Sequence, residues 1–431
     1  MSGTYDVVVI GGGPMGLATA YECAKANKLK VLVLEKSVFF NQSGSAGDLV
    51  RMFRTAYTED FMATLAYQSR PLWDDLEAAA GTPLRHMTGL LNFGDPNYGE
   101  GTPEGTLKGP IPNLKKYGLK YTMLTKDDIE TQYPFQNLPD RWEGIDMPDN
   151  GTINVSLLMR SLFRLCEKLG VDLVQYAAVQ AIRPDQSDLS SWFVEGLQST
   201  DKGDTLAPKH FSFKTHKVAI TCGAFVNHVL YPSFGFTLDV DIWEMVYQYY
   251  SIDPKVSFPK MWFHFANDTP PVSGGKPISN LFYGFPSVSW GPPNLARIAV
   301  DTATQVIKDP VDRSHSNIAE QDLENTRQWV AKHIVGISPD PVPVFIGEIL
   351  QTNVYDNMTR EEHRSVYGGL GHEIRATYRT DFEAAFGGWG TNEFDISQFK
   401  MDRGGGQIIH MGAVDRMRDL ASGRIGSSLR R

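Results

Sequence analysis

An almost unbroken apolar run, Tyr5-Asp6-Val7-Val8-Val9-Ile10, leads into Gly11-Gly12-Gly13-Pro14-Met15-Gly16 and then into a stretch of helical character reaching about Asn27. Val31 to Leu34 forms a second apolar run, closed by Glu35. Apolar runs without alternation fit parallel strands covered on both faces, and the segment between them is long enough for one crossover helix. The opening therefore predicts a βαβ unit. Phe61, Leu65, Leu72, Trp73 and Leu76 recur at helical spacing between about Thr58 and Ala80, and Val155 to Leu169 gives a second amphipathic helix. Asn92 to Lys116, rich in Gly, Pro and Asn, reads as an exposed loop. Val171 to Val174 and Trp192 to Val194 read as strands separated by a polar turn at Pro184 to Ser190. Lys217 to Thr221 is another buried strand, ending in Cys222-Gly223-Ala224. Glu244 to Ile252 and Asn280 to Pro286 are aromatic and strand-like, with a Pro/Gly loop at Thr269 to Lys276. The first βαβ unit and the Thr221 strand are expected in one sheet, and the aromatic strands between about 230 and 305 in a second lobe.

Composition narrows the class. The 431 residues are 42% hydrophobic and 21% charged, values of a chain with a buried core rather than a disordered or fibrous one. A formal net charge of −9 argues against nucleic acid or an anionic membrane as the main partner. The cysteines Cys23, Cys166 and Cys222 form no CxxC pair, so neither a disulfide framework nor a zinc site is expected. No run approaches the roughly 18 apolar residues of a spanning helix, and the N-terminus lacks the basic start of a signal peptide. A cytoplasmic or organelle-lumen location is expected.

Gly11, Gly13 and Gly16 have GxGxxG spacing in its required context: strand before, helix after, and Glu35 ending the next strand. Such glycines let backbone approach a pyrophosphate, the helix N-terminus supplies N–H groups, and the acid accepts from a ribose hydroxyl. This predicts an adenine dinucleotide and leaves NAD and FAD open. Gly44-Ser45 followed by Arg51, Arg54 and Tyr57 forms a second constellation, in which two arginines three apart would share one face of a helical turn. A guanidinium donates two parallel hydrogen bonds to a carboxylate, so a substrate acid is the expected partner. Phe282 to Pro286, Arg297 to Asp301 and Asn353 to Asn357 form a third group whose aromatics, taken alone, fit a core. Cys222 fits a small buried residue better than a nucleophile, and the scattered histidines give no metal spacing.

Together these segments resemble the monomeric sarcosine oxidase and N-methyltryptophan oxidase family of flavoenzymes. The resemblance rests on GGGPMG, the Gly44 to Glu59 segment, Thr88-Gly89-Leu90, Thr221 to Ala224, Tyr283 to Pro286 and Thr391 to Arg403. It implies an α/β fold with a Rossmann-like FAD-binding lobe interleaved with a mixed β-sheet substrate lobe. The implied division is 1–90, 150–225 and 340–403 for FAD, 91–149 and 226–339 for substrate, with 404–431 a flexible tail. It implies oxidation of the C–N bond of an amino acid or N-alkyl amine by hydride transfer to flavin, with O2 reduced to hydrogen peroxide. By the family pattern, Gly11, Gly13, Pro14, Met15, Gly16, Glu35, Lys36, Ser45, Arg51, Val179 and Gly223 would hold FAD. Arg54 would anchor the substrate carboxylate, Tyr283 and Tyr355 would line the pocket, and Arg297 would replace a lysine near the flavin, where a cation favours superoxide formation.

The chain departs from that pattern in several places. Ala46-Gly47 and Asp301 stand where the family has histidines, so the substrate is expected to differ from sarcosine. Asn353 stands at the cysteine that attaches flavin, so FAD is expected to bind non-covalently. Thr359 to Gly390 fits poorly. Shifted by one nucleotide, suitable codons for 363–390 encode a peptide with the family's strand, glycine-rich turn, lysine and helix, so a frameshifted or mis-spliced stretch is expected there. Two other functions are consistent with these residues: an FAD dehydrogenase handing electrons to another acceptor, and a non-catalytic dinucleotide-binding protein.

Overall fold

The computed structural model describes residues 3–355 except 28, 43, 99–104, 189, 200–207, 236, 267–280, 301–304 and 314–319, and through backbone alone at 26, 27, 61, 239, 305, 320–322 and 344–355. The Thr269 to Lys276 loop, Asp301, the 359–390 segment and the 404–431 tail lie outside the described residues.

One six-stranded sheet carries the opening motif. Its spatial order is Ala177–Pro184 (β10), Trp192–Gln198 (β11), Lys209–Ile220 (β12), Tyr5–Ile10 (β1), Val31–Leu34 (β2) and Asp172–Val174 (β9). β1 lies between β2 and β12, parallel to both, as the apolar runs predict. Pro14–Asn27 (α1) is the crossover, and Val155–Lys168 (α5) packs beside it, burying Leu158, Leu162 and Leu165. Each such leucine contributes roughly 1.5–3 kcal/mol. Asn154 caps α5 by accepting from the Leu157 N–H at 3.0 Å. β12 starts earlier than its apolar end suggests. Its first half alternates His210, Phe211, Ser212, Phe213 and pairs antiparallel with β11, a position with one solvated face.

A nine-stranded sheet forms the second layer. Its main path runs Gln305–Ile307 (β17), Asp239–Ile252 (β13), Leu295–Val300 (β16), Phe282–Phe285 (β15), Met261–Phe265 (β14), Leu90–Gly94 (β5), Glu143–Met147 (β7) and Thr122–Thr125 (β6). Ile337–Tyr355 (β18) pairs along β13. Residues from 340 onward, expected with the FAD lobe, therefore begin as a strand of this larger sheet. Alternate residues divide between its faces. Phe93, Trp262, Phe282 and Ile298 pack with Ile129 of Lys126–Gln132 (α4) and with Trp329 and Val330 of Glu320–His333 (α7). Phe263, Phe265 and Phe285 belong to another cluster, with Val50 and with Leu114 of Ile111–Lys116 (α3).

The chain also forms Asp60–Ala80 (α2), closed by left-handed Gly81, Val226–Phe234 (α6), and a three-stranded sheet of Val50–Phe53 (β3), Gly151–Asn154 (β8) and Arg85–His86 (β4). Two expectations are corrected here. Arg51 lies in a strand, not on a helical turn: Val50, Met52 and Phe53 suit an extended chain, and β3 pairs with β8 from Val50 opposite Asn154 to Phe53 opposite Gly151. The Asn92 to Lys116 region is not one loop, because β5 runs through Asn92 and α3 covers its end.

Candidate functional site

At the glycine turn, three glycines are demanded by packing and one is not. A Cβ at Gly11, where φ is +108°, would lie 2.5 Å from the Thr221 carbonyl, and one at Gly16 would lie 1.8 Å from the Gly11 carbonyl. At Gly12 it would meet the Phe39 ring at 2.5 Å. A Cβ at Gly13 would meet nothing within 4 Å, so open space adjoins the backbone at the start of α1. Thr221 fixes the turn by donating to the carbonyls of Ile10 and Gly11 at 2.9 and 3.1 Å.

Glu35 ends β2 with its carboxylate buried, accepting from the Gly12 N–H and the Ser37 N–H, both at 2.8 Å. The Lys36 ammonium sits 3.0 Å from the centre of the Phe225 ring, just beyond Gly223, whose φ is +55° and whose Cβ position is also open. Burial lowers the Lys36 pKa, opposed chiefly by Glu35. Val179 lies at an irregularity in β10, two residues beyond Ala177, whose N–H bonds the Glu35 carbonyl at 2.8 Å. Glu35 meets the glycine turn through the Gly12 N–H and Gly223 follows Thr221, which bonds the turn from the neighbouring strand, whereas Val179 is joined to this region only through Ala177. Open space at Gly13, a buried acid and helix-start N–H groups suit a dinucleotide diphosphate and ribose.

A second centre is built around a carboxylate that the sequence reading missed. Asp48, with φ +86° and side chain 1% exposed, faces two guanidiniums. Arg51 Nη1 lies 3.2 Å from Asp48 Oδ2, and its Nη2 donates to the carbonyls of Ser45 and Gly47 at 2.6 and 2.7 Å. Arg297 Nε lies 2.6 Å from Asp48 Oδ2, an ion pair in which the N–H is not aimed along the contact. The Tyr249 hydroxyl donates to Asp48 Oδ1 at 2.7 Å. Burial is the largest single influence on Arg297 and works against its charge, but Asp48, Tyr283 and Tyr249 together outweigh it and raise the pKa. Burial lowers that of Arg51 despite Asp48. Burial and the same carboxylate raise that of Tyr249.

The arginines separate from here. Arg51 turns back to the 45–48 segment, whereas the buried Arg54 guanidinium lies 4.5 Å from the Tyr57 ring and 5.2 Å from that of Phe263. Phe263 is 5.8 Å from Tyr283, and Tyr283 is 5.5 Å from the Arg297 guanidinium, so aromatic rings connect the two charged groups across one sheet face. Phe285 and Tyr247 flank Arg297 at 5.0 and 4.9 Å. Asn353 and Tyr355 lie in β18 opposite Asp241 and Asp239. Asp48 gave no signal beyond an acid near glycines; of its partners Tyr249 and Arg297 are remote in sequence. Cys222 retains some exposure, yet burial pushes its thiol up to about 12, which keeps it protonated at neutral pH.

The glycine turn, its acid and the sheet beside it define a dinucleotide-dependent α/β protein. The chain matches the family described as FAD dependent oxidoreductase over residues 6–345 and belongs to that family, which decides between the two cofactors that the glycine spacing left open. It is 51% identical over 359 residues to a Dictyostelium discoideum protein named "Putative bifunctional amine oxidase", covering 82% of this chain and 32% of that protein. This chain therefore spans about a third of that relative's length. It is 24% identical over 415 residues to the N-methyl-L-tryptophan oxidase of Yersinia pestis (strain Pestoides F), covering 93% of this chain and 99% of the other. Among solved structures, the open form of NikD, "an unusual amino acid oxidase essential for nikkomycin biosynthesis", is similar with TM-score 0.73 and 28% identity over 95% of this chain and all of that one. Glycine oxidase from Geobacillus kaustophilus shares the fold at TM-score 0.57 and 18% identity, over 93% of this chain and 99% of that one. No helix among the described residues is long and apolar enough to cross a membrane, and no group of three His, Cys, Asp or Glu side chains among them could hold a metal.

Proposed function

We propose that the chain oxidises the C–N bond of an amino acid or N-alkyl amino acid to an imine, with O2 as final acceptor and hydrogen peroxide as product. The observation that carries this reading is the buried Arg54 guanidinium set against Tyr57 and Phe263, on the sheet face that also bears Tyr283 and Arg297. Arg54 binds the substrate carboxylate through two parallel N–H donors. Tyr283 lines the side-chain pocket, and its ring and that of Phe263 exclude water from the carbon that reacts. The substrate loses hydride from carbon while the nitrogen lone pair forms the C=N bond; bound FAD would supply the hydride acceptor and the route of the electrons to O2. Gly11, Gly13, Pro14, Met15, Gly16, Glu35, Lys36, Ser45, Arg51, Val179 and Gly223 would hold that cofactor, non-covalently because Asn353 cannot form a thioether.

Arg54→Ala is expected to raise KM for carboxylate substrates roughly tenfold to a hundredfold, the loss of charge-assisted hydrogen bonds. An unchanged KM moves the anchor elsewhere. Hydride leaves only the neutral amine, so the rate rises with pH through the bound amine's pKa and levels above it. A flat profile below that pKa, with product release excluded by single-turnover kinetics, contradicts the reading. One observation favours a second one, electron transfer to another acceptor: Asp48 offsets the positive charge of Arg297, leaving less net cation to stabilise superoxide. Peroxide formed per imine separates the two, near one for an oxidase and near zero for a dehydrogenase.

A further inference from the structure

The chain between β3 and α2, residues 54–59, belongs to neither strand nor helix, yet Arg54, Thr55, Ala56 and Tyr57 are buried. Backbone groups in such a stretch have no ladder to satisfy them and need other partners. Two buried asparagines supply some of these. Asn150, in the turn between β7 and β8, accepts from the Thr55 N–H at 2.8 Å. Asn113, in α3, donates through Nδ2 to the carbonyls of Tyr57 and Thr58, both at 3.0 Å. A side-chain amide has two N–H donors, so this pair of bonds uses both.

The approach of α3 to that stretch is made close by two glycines. Gly105 and Gly109 precede Asn113 at a repeated spacing of four. A Cβ at Gly105 would lie 2.7 Å from Thr58 Oγ1, and one at Gly109 would lie 2.4 Å from it. Beyond Asn113, the Lys116 ammonium pairs with Asp60 at 2.6 Å and the Tyr117 ring stacks on Tyr67 of α2 with centres 4.5 Å apart. The 105–117 segment is therefore seated on residues 57–58 by two glycines and one amide, and on α2 by a charge and a ring.

What Asn113 grips is the Tyr57 backbone, and the Tyr57 ring lies 4.5 Å from the Arg54 guanidinium. Phe263 approaches the same guanidinium to 5.2 Å, held in β14 between β15 and β5. Rings set against a guanidinium cover its faces and leave its N–H edge, along which a carboxylate bonds. Tyr57 lies in no strand, so its place against Arg54 follows the carbonyls that Asn113 holds.

We propose that Asn113 is a positioning residue for the substrate carboxylate: it keeps the Tyr57 ring against Arg54, so that the guanidinium edge is aligned before substrate arrives. The proposal rests on Arg54 as carboxylate anchor. Order present before association is not lost during it, so Asn113 acts on carboxylate binding and not on the hydride step.

The test titrates FAD-loaded wild type, Asn113→Leu, Gly109→Ala and Arg54→Ala with benzoate in a calorimeter. Benzoate carries a carboxylate on a ring and has no amine to oxidise. Unfolded molecules lower the stoichiometry and leave the Kd in place, so a general loss of stability does not imitate the expected result. Asn113→Leu removes both donors, and Gly109→Ala lifts the segment from Thr58 with the amide intact; each is expected to raise the benzoate Kd roughly tenfold. With N-methyl-L-tryptophan as substrate, the same variants raise KM by that factor and leave kcat within about twofold, whereas kcat/KM for N-methyltryptamine, which lacks the carboxylate, stays unchanged. A fall in kcat with KM unchanged overturns the proposal. So does an unchanged benzoate Kd in Asn113→Leu, or in Gly109→Ala where only that variant loads FAD; a raised Kd in Arg54→Ala then leaves the anchor standing. No binding by wild type, or an unchanged Kd in Arg54→Ala, removes the anchor and the proposal with it.

Discussion

The glycine turn and the Asp48 centre handle charge by opposite means. The turn is made of backbone: helix-start N–H groups, a positive-φ glycine and an open position at Gly13, with one carboxylate held by two N–H donors. The Asp48 centre gathers a buried guanidinium, a half-buried one and a phenol around a single carboxylate. A backbone device tolerates no added atoms where chain crosses chain, whereas a side-chain device tolerates changes in shape but not the loss of its central charge. These are different weaknesses, and substitutions separate them.

The largest effect is expected in the turn. Gly16→Ala would place a Cβ 1.8 Å from the Gly11 carbonyl, so it should displace α1 and give a chain with a melting temperature well below wild type and no bound flavin. Gly13→Ala meets open space; it should change the stability of the cofactor-free chain by less than about 0.5 kcal/mol while weakening FAD affinity in a flavin titration. Equal losses of stability in both variants would erase the distinction between packing and ligand glycines. Next comes Asp48→Asn, which keeps tolerance of the left-handed backbone but removes the charge. Denaturant unfolding should show a loss of about 3–5 kcal/mol, the cost of stranding a buried partner. A loss below about 1 kcal/mol would mean that Arg51 and Arg297 find other anions. Smallest is Tyr249→Phe, which removes one hydrogen bond to that carboxylate and should cost about 1.5–3 kcal/mol; in the Asp48→Asn background the cost should shrink, and full additivity would show that the two do not act as one unit.

The same contrast explains what could be read from sequence. The βαβ unit was legible because its strand, glycines, helix and acid fall within residues 5 to 35, and local spacing carries the chemistry. Thr221 was legible as the neighbouring strand end because Val218 to Ile220 is an apolar run paired beside β1. Asp48 was not, since Tyr249 and Arg297 reach it from β13 and β16 and only the sheet brings them there. The spacing of Arg51 and Arg54 predicts a helical turn although they lie in a strand and the irregular segment after it, because a spacing of three is shared by both. The short pattern of β5 was lost in a stretch whose Gly, Pro and Asn content outweighed it.

Glu35 has a further consequence. Its two oxygens are held before any ligand arrives, one by the Gly12 N–H and one by the Ser37 N–H, and each retains acceptor capacity for a hydroxyl. Rotamer freedom that a flexible acid would lose on association is lost here during folding instead. Preorganisation of this kind shows itself in the ligand's residence: escape requires breaking contacts with a rigid acceptor, so the nucleotide end should leave slowly even when the reacting end is weakened.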